Sequence, residues 1–270
     1  NSKGIAEFKN ILIGSNYTLE EVDTKSYYVT PVKQTVKIEW NKVTNKSFNN
    51  VLKRGDLVVT KTSDDGFVKD ITFRLYGTAA NGTTVDVTAK TNASGKAYFD
   101  DILIGSNYKL EEVNTKAYYI TPVTQTGVTI KWDDVTNSAV HNELKVGDLT
   151  VTKTAEDGLV SGVKFHLYGT SDSGIKVNEY ATTNSKGVAE FKNILIGSNY
   201  TLEEVDTKAY YITPVKQTVK IEWNKITNKS FNNTLKRGDL KVVKTSEDDM
   251  VEGVKFYLLG TSDSGIMVDM

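Results

Sequence analysis

The segment Gly147–Lys153 reads Gly-Asp-Leu-Thr-Val-Thr-Lys, and close variants of it occur at Gly55–Lys61 and Gly238–Lys244. Alternate residues of a β-strand share a face, so in each copy the leucine, the second residue after it and the lysine point the same way. A charge at the end of an apolar, core-facing row is costly unless another group pairs with it or reacts with it. The three lysines that end these segments are therefore candidate functional residues.

The segments belong to a long internal repeat. Residues 1–54 and 184–237 align without a gap and differ at five positions. Dividing the chain at each Gly-Asp-Leu gives complete units at 55–146 and 147–237, with the C-terminal part of a unit at 1–54 and the N-terminal part of another at 238–270. A period of about 90 residues is too long for a solenoid repeat and suits a small independent domain.

Strand-like segments separated by turn residues recur throughout each unit, which predicts an all-β sandwich. No segment shows sustained helical periodicity. The connection between the complete units is short, which predicts a stiff rod of tandem sandwiches. In the second complete unit the pattern predicts seven strands, near Leu149–Thr154, Lys164–Gly169, Val188–Phe191, Tyr200–Asp206, Tyr210–Thr213, Val219–Trp223 and Ser230–Leu235.

The composition argues against several classes of function. The chain has 33 basic and 34 acidic residues, so its net charge of -1 gives no reason to expect a nucleic-acid or membrane-surface partner. No window approaches the roughly 18 apolar residues of a membrane-spanning helix. Since Asn1 lies inside a repeat and no secretory signal precedes it, we expect the chain to be a fragment of a longer protein.

Motifs for metal, cofactor or nucleotide chemistry are not found either. Cysteine is absent, which excludes disulfides, thiolate metal sites and cysteine nucleophiles. No glycine-rich phosphate loop or nucleotide fingerprint occurs, so we expect no cofactor. His141 and His166 are isolated in the sequence, and acidic pairs such as Glu156-Asp157 lie next to turn glycines, so we expect turn formation there and no metal site.

Two further polar residues fall on apolar faces of each complete unit. In the second unit, alternation places Glu204 with Tyr200 and Leu202, and it places Asn233 with Phe231. The corresponding residues are Glu112 and Asn142 in the first complete unit, and Glu21 and Asn50 in the partial unit 1–54. Each complete unit is therefore predicted to direct one lysine, one glutamate and one asparagine into its interior.

An adjacent asparagine leaves an alternative in two copies, since Asn232 precedes Asn233 and Asn49 precedes Asn50. Alternation favours the second residue of each pair. The middle unit supports this choice because His141 occupies the other position there.

A lysine, a glutamate and an asparagine that meet in an apolar interior can react. Burial lowers the pKa of an amine and raises that of a carboxylic acid, which favours the neutral form of both. The neutral amine can attack the side-chain carbonyl of asparagine while the acid polarises it and transfers protons, so that ammonia leaves and an amide remains. Folding supplies proximity, which can contribute about 7–11 kcal/mol to lowering the barrier. The alternatives are an unreacted buried ion pair and a lysine whose ammonium reaches solvent.

The order Gly-Asp-Leu-x-Val-x-Lys-Thr, then Tyr-x-Leu-x-Glu, then an asparagine five residues before the next glycine resembles the Cna protein B-type, or SpaA-type, domain of Gram-positive pilins and adhesins. This resemblance covers both complete units and both partial ones. It implies a reverse immunoglobulin-like (transthyretin-like) β-sandwich with a spontaneous isopeptide bond. By position, it implies the bonds Lys61–Asn142, assisted by Glu112, and Lys153–Asn233, assisted by Glu204.

The resemblance also implies a structural protein of the bacterial cell surface, and not an enzyme that turns over a substrate. Near-identical repeats suit a spacer, so we expect a stalk segment of a cell-wall-anchored adhesin or pilus-like protein. Two alternatives are a ligand-binding adhesin region that recognises host matrix or glycan, and a sortase-polymerised pilin shaft. The sequence does not indicate a particular host ligand.

The partial units are complementary in sequence. Together they lack only the equivalent of Tyr180–Thr183, so residues 238–270 of one molecule can in principle complete residues 1–54 of another. This pairing would place Lys244 beside Asn50 and Glu21. The simpler alternative is that both ends were cut from a longer array of repeats.

Overall fold

The computed structural model describes residues 1–270, and its regular elements are all β-strands. The all-β prediction is confirmed. The chain clusters into two compact units, residues 1–115 with 121–142, and residues 116–120 with 143–270. The chain contains no helix with the length and hydrophobicity needed to cross a bilayer.

The strands of the first unit are β1 (Gly14–Leu19), β2 (Tyr28–Val29), β3 (Gln34–Ile38), β4 (Val51–Leu52), β5 (Arg54–Ser63), β6 (Thr72–Thr78), β7 (Thr84–Lys90), β8 (Lys96–Leu103), β9 (Gly105–Val113), β10 (Gln125–Ile130) and β11 (Val135–Asn142). Those of the second are β12 (Val146–Ala155), β13 (Lys164–Thr170), β14 (Lys176–Thr182), β15 (Val188–Leu195), β16 (Gly197–Val205), β17 (Gln217–Ile221), β18 (Ile226–Asn233), β19 (Leu259–Thr261) and β20 (Met267–Asp269).

Each unit contains one sandwich of a three-stranded and a four-stranded sheet. In the first unit the sheet orders are β11-β5-β8 and β10-β9-β6-β7, and in the second they are β15-β12-β18 and β14-β13-β16-β17. The central strand of each three-stranded sheet pairs in parallel with the last strand of its sandwich. The same central strand pairs antiparallel with the remaining strand of its sheet, β8 in the first unit and β15 in the second. The first and last strands of a repeat are therefore directly hydrogen-bonded.

Apolar side chains from both sheets form each core. In the second unit Leu149 and Phe191 come from the three-stranded sheet, and Phe165 and Leu202 come from the four-stranded sheet. All four are almost completely buried. The alternation seen in the sequence is thus the alternation between the core and the outer faces of the sheets.

The Gly-Asp start of each complete repeat has a structural role of its own. A Cβ atom on Gly147 would lie 2.2 Å from the carbonyl oxygen of Glu222, so only glycine fits this approach of two backbones. Asp148 accepts a hydrogen bond at 3.0 Å from the backbone nitrogen of Asn193, which has a positive φ of 54°. The pairing of β12 with β15 shifts register at this point. Gly147 and Asp148 therefore fix the start of β12 where its pairing with β15 is irregular.

Six of the seven strands predicted in the second repeat overlap observed strands, with shifted boundaries, and these are β12, β13, β15, β16, β17 and β18. One prediction is wrong, because Tyr210–Thr213 forms no strand and only Tyr211 makes an isolated bridge, to Leu235. One strand was missed. β14 is an edge strand whose residues are mostly exposed, with Val177 its one buried side chain, so its sequence lacks a clear apolar alternation.

The partial repeats form much less structure. Residues 1–54 contain the two-stranded pairs β1-β3 and β2-β4, and the last residues contain the hairpin β19-β20. The segment Gly238–Lys244 forms no strand, although its sequence closely follows that of β12. No strand pairs with this segment, in either the parallel or the antiparallel direction.

Candidate functional site

Three strands of the second repeat bring the predicted lysine, glutamate and asparagine together. Lys153 lies on β12, Glu204 on β16 of the opposite sheet, and Asn233 at the end of β18. The parallel register pairs Lys153 with Phe231 and Ala155 with Asn233. Lys153 and Asn233 are 2% and 1% exposed, and the side chain of Glu204 is 3% exposed.

Glu204 connects the amine and the amide. Its Oε2 lies 3.9 Å from Nζ of Lys153. Its Oε1 accepts a hydrogen bond at 2.8 Å from Nδ2 of Asn233. The Lys153 amine also donates to the backbone carbonyl of Thr154. Glu204 Oε2 and Asn233 Oδ1 are buried without a hydrogen-bond partner. Unsatisfied buried polar atoms are costly, so this arrangement favours a change that removes charge or polar groups from the core.

The first complete repeat has the same geometry. Nζ of Lys61 lies 3.9 Å from Oε2 of Glu112, and Nδ2 of Asn142 donates to Oε1 of Glu112 at 2.9 Å. Lys61 and Asn142 are 2% and 0% exposed. Glu112 Oε2 and Asn142 Oδ1 again have no hydrogen-bond partner. The triad is thus a repeated feature of the fold and not an accident of one copy.

Burial lowers the pKa of both lysines. For Lys153 the removal of the ammonium from water is the largest effect, and the negative charges of Glu204 and Asp157 oppose it. For Lys61 the same loss of hydration dominates, opposed mainly by Glu112. A lowered pKa makes the neutral, nucleophilic amine more available near neutral pH.

The lowered lysine pKa predicts a pH-dependent stability in a chain that cannot react, such as Asn233→Ala. Between the folded-state pKa of Lys153 and the unfolded value of 10.5, the unfolded chain binds one more proton than the folded chain. The free energy of unfolding of this repeat should therefore rise with pH across that window, by at most about 1.4 kcal/mol per pH unit. Urea unfolding from about pH 7 to about pH 10 measures the slope.

The control for this experiment is the double variant Lys153→Met/Asn233→Ala. It keeps every other titratable group and lacks the buried amine, so the slope assigned to Lys153 should disappear. Equal pH dependence in the two variants would contradict a lowered lysine pKa.

The residues next to the candidate asparagines face outward. Asn232 is exposed, and its Oδ1 accepts a hydrogen bond at 2.9 Å from the Thr154 hydroxyl. In the first repeat, His141 Nδ1 lies 2.9 Å from the Thr62 hydroxyl and its Nε2 lies 3.0 Å from Asp64 Oδ1. In both repeats the residue that the alternation favours is the one buried beside the glutamate.

The partial repeats hold incomplete versions of the site. In residues 1–54, Asn50 Nδ2 donates to Glu21 Oε1 at 3.0 Å, as in the complete repeats. The equivalent of Lys61 and Lys153 is missing there, because this segment corresponds only to the C-terminal part of a repeat. Lys244 lies on the unpaired segment near the C-terminus, and its amine donates to the backbone carbonyl of Thr245.

Two polar residues make contacts that the sequence did not indicate. His166 is not isolated in the fold: its Nδ1 lies 3.2 Å from Glu203 Oε1, and its ring stacks on Tyr168 and Tyr180. Asp157 does more than form a turn, because its Oδ2 accepts a hydrogen bond at 2.5 Å from the buried Tyr211 hydroxyl. These contacts join residues distant in sequence, so local patterns did not reveal them. No group of three or more His, Asp or Glu side chains suited to hold a metal ion is present.

One residue beside the site was missed. The hydroxyl of Thr207 donates to Glu204 Oε1 at 3.3 Å. Thr24 and Thr115 occupy the same position, three residues after the glutamate, in the other copies. That recurring spacing was the available signal.

A domain model described as the SpaA prealbumin-like fold domain matches residues 55–144 and 147–235, which is more than half of the chain. The chain belongs to this SpaA domain family. Prealbumin is another name for transthyretin, so the expected tandem of transthyretin-like sandwiches is confirmed by these two matches. A search of curated proteins found no match.

Among solved structures, the SpaA-family chain is similar to the Bacillus anthracis TIE protein, with 25% identity and a TM-score of 0.63. The similarity covers 87% of this chain and 44% of the TIE protein, so the chain spans less than half the length of that relative. A weaker similarity is found to the minor pilin GBS52 of Streptococcus agalactiae, with 16% identity, a TM-score of 0.33, and coverage of 70% of this chain and 100% of the pilin. The family assignment rests on the domain model.

Proposed function

We propose that this SpaA-family chain is a structural stalk segment of a Gram-positive cell-surface adhesin or pilus-like protein. In this proposal each complete repeat, 55–146 and 147–237, is closed by an internal isopeptide bond. The observation that carries the proposal is the buried lysine–glutamate–asparagine triad, which recurs with the same contacts in both repeats. Membership of the SpaA domain family supports an extracellular, cell-surface location.

The proposed reaction joins Lys153 to Asn233. The neutral amine attacks Cγ of the asparagine, so an Nζ–Cγ bond forms and the Cγ–Nδ2 bond breaks. Glu204 takes one proton from the attacking nitrogen and gives one proton to the departing nitrogen, which leaves as ammonia. Glu204 is therefore unchanged at the end, and each site reacts once. Lys61, Glu112 and Asn142 act in the same way in the first repeat.

The bond would suit a load-bearing spacer because of where it lies. The first and last strands of each sandwich are parallel neighbours, and the bond would join them near their C-terminal ends. Near-identical repeats also suit a spacer better than a binding head, which needs one specific surface. A ligand-binding adhesin region for host matrix or glycan and a sortase-polymerised shaft are the alternative functions. A pulldown against matrix proteins distinguishes the first of these from a stalk.

Intact mass spectrometry tests the proposed bonds. The purified chain should weigh less than its sequence by two ammonia molecules, one for each complete repeat. Glu204→Ala and Asn233→Ala should each restore one ammonia, and Glu112→Ala should restore the other, since each change removes a reacting or proton-transferring group. An unshifted mass for the wild-type chain would sink the proposal.

The fold provides matched controls next to the reacting residues. Glu203→Ala and Asn232→Ala alter the neighbouring side chains, which point to the other face of their strands. Both variants should keep the full loss of two ammonia molecules. If Asn232→Ala restored an ammonia, the reacting asparagine would be misassigned.

We further propose that the partial units 1–54 and 238–270 require complementary strands from another repeat, either from adjoining sequence or from a second copy of the chain. Large apolar side chains support this, because Phe8, Leu12, Leu240 and Val243 are each more than two-thirds exposed. Leaving the apolar face of a strand exposed to water is unfavourable in free energy. The same mass spectra report covalent head-to-tail pairing of Lys244 with Asn50 as species at multiples of the chain mass. Their absence at high concentration would exclude covalent pairing of the ends.

A further inference from the structure

A threonine shares the glutamate oxygen that holds the asparagine amide. In the second repeat, Glu204 Oε1 accepts hydrogen bonds both from Asn233 Nδ2 at 2.8 Å and from the Thr207 hydroxyl at 3.3 Å. In the partial repeat 1–54, Glu21 Oε1 accepts from Asn50 Nδ2 at 3.0 Å and from the Thr24 hydroxyl at 3.1 Å. The arrangement therefore occurs in two different copies, one of which has no lysine in place.

The first complete repeat differs at this point. Thr115 occupies the equivalent position, but its hydroxyl is buried without a hydrogen-bond partner. Glu112 Oε1 still accepts from Asn142 Nδ2 at 2.9 Å. The two complete repeats therefore have the same triad, and only the second has the additional donor.

We propose that Thr207 is a positioning residue for the formation of the Lys153–Asn233 bond, and that the Lys61–Asn142 bond, which lacks this support from Thr115, forms more slowly. The inference rests on the proposed function, because it concerns the rate of the cross-linking reaction. The Thr207 hydroxyl hydrogen-bonds to Glu204, whereas the Lys153 amine hydrogen-bonds to the backbone carbonyl of Thr154. Thr207 acts through Glu204.

The physical argument concerns which carboxyl oxygen receives the proton of the attacking amine. Two donors on Glu204 Oε1 leave Oε2 free, and Oε2 is the oxygen that lies 3.9 Å from Lys153 Nζ. The terminal torsion of a glutamate side chain is soft, so one donor alone restrains the carboxyl plane weakly. A second donor narrows the range of that torsion and keeps Oε2 directed at the amine. Pre-orientation of a proton acceptor in this way raises the rate of the chemical step.

The rates can be measured on the full chain. The chain is purified unfolded in urea, and the fraction with the unreacted mass is selected. Dilution of the urea starts refolding, and acid stops the reaction at successive times. Peptide mass spectrometry then follows the Lys61–Asn142 and Lys153–Asn233 cross-links separately in the same sample. In the wild-type chain the second cross-link should form faster than the first. Refolding of the chain is followed in parallel by tryptophan fluorescence, so that slow folding is not mistaken for slow chemistry.

Thr207→Val should slow formation of the Lys153–Asn233 bond by about tenfold, the effect expected for loss of one hydrogen bond to a charged or reacting group. It should leave the Lys61–Asn142 rate unchanged. Thr207→Ser keeps the hydroxyl and should restore the wild-type rate. Thr115→Val is the matched control and should change neither rate, because that hydroxyl makes no hydrogen bond.

The outcomes distinguish the positioning role of Thr207 from the proposed cross-linking itself. A wild-type Lys153–Asn233 rate in Thr207→Val, or a slow rate that Thr207→Ser fails to restore, would overturn the positioning role. If Thr207→Val fails to refold, the comparison of the two rates in the wild-type chain decides, and equal rates overturn the inference. A wild-type chain that never loses ammonia would instead overturn the proposed function itself.

Discussion

Stretching a single chain from its two ends should leave the segment between Lys153 and Asn233 unextended in the wild-type protein. Force that enters the repeat through β12 passes at Lys153 directly into Asn233 by way of the proposed bond. The 79 residues from 154 to 232 then carry no load. Hydrogen bonds in the rest of the sandwich are consequently never pulled apart. A bypass of this kind is what a stalk under tension needs.

Glu204→Ala should turn this unextended segment into an unfolding step. With the bond absent, residues 154–232 extend at about 3.3–3.6 Å each, which adds about 260–290 Å of contour length. Force spectroscopy on single molecules measures this step. The variant Asn232→Ala changes the neighbouring, outward-facing side chain and should behave like the wild-type chain.

The first repeat offers an independent test in the same molecule. Glu112→Ala should add a second step of nearly the same length, because Lys61 and Asn142 enclose the 80 residues from 62 to 141. A wild-type chain that already shows full-length steps for both repeats would contradict the bypass of force by covalent bonds.

Lys153→Met should lower the free energy of unfolding of the second repeat by about 4–5 kcal/mol. This value is the loop-closure entropy expected for a cross-link that encloses about 80 residues. Methionine is similar to lysine in length and is apolar, so it can fill the buried path of the lysine stem and limit the loss of packing. Most of the change then reports the cross-link. Urea unfolding and the rate of proteolysis of this repeat measure it.

Lys244→Met is the matched control, because Lys244 occupies the same sequence position in the partial repeat but lies on a segment that forms no strand. It should leave both transitions unchanged, and Lys153→Met should leave the transition of the first repeat unchanged. A loss below about 1 kcal/mol in Lys153→Met would indicate that no covalent loop closes this repeat.

Much of the candidate site could be predicted because strand alternation is a local property. The assignment of Lys153, Glu204 and Asn233 to the interior needs only the side-chain period of two and the apolar residues beside them. The exposed position of Asn232 follows from the same parity. That the three side chains meet required the repeat and a family resemblance, since alternation does not say which strands are neighbours.

Contacts that join separate strands could not be predicted in this way. Glu203 precedes Glu204 and so falls on the opposite face of its strand, but nothing local indicates that His166 stacks on two tyrosines beside it. The hydrogen bond from Tyr211 to Asp157 likewise joins residues 54 positions apart. The edge strand β14 was missed for a related reason, because an edge strand that buries few side chains carries a weak apolar pattern.

The segment Gly238–Lys244 shows the limit of sequence most directly. It keeps the Gly-Asp-Leu start, the alternation and the lysine of β12, so sequence assigns it the same role. β12 is nevertheless a ten-residue strand with neighbours on both sides, whereas Gly238–Lys244 has no strand partner and forms no strand. The pattern of side chains selects which face of a strand is buried. The strand itself, and the burial that lowers the pKa of its lysine, depend on hydrogen bonds and apolar contacts that other segments of the fold must provide.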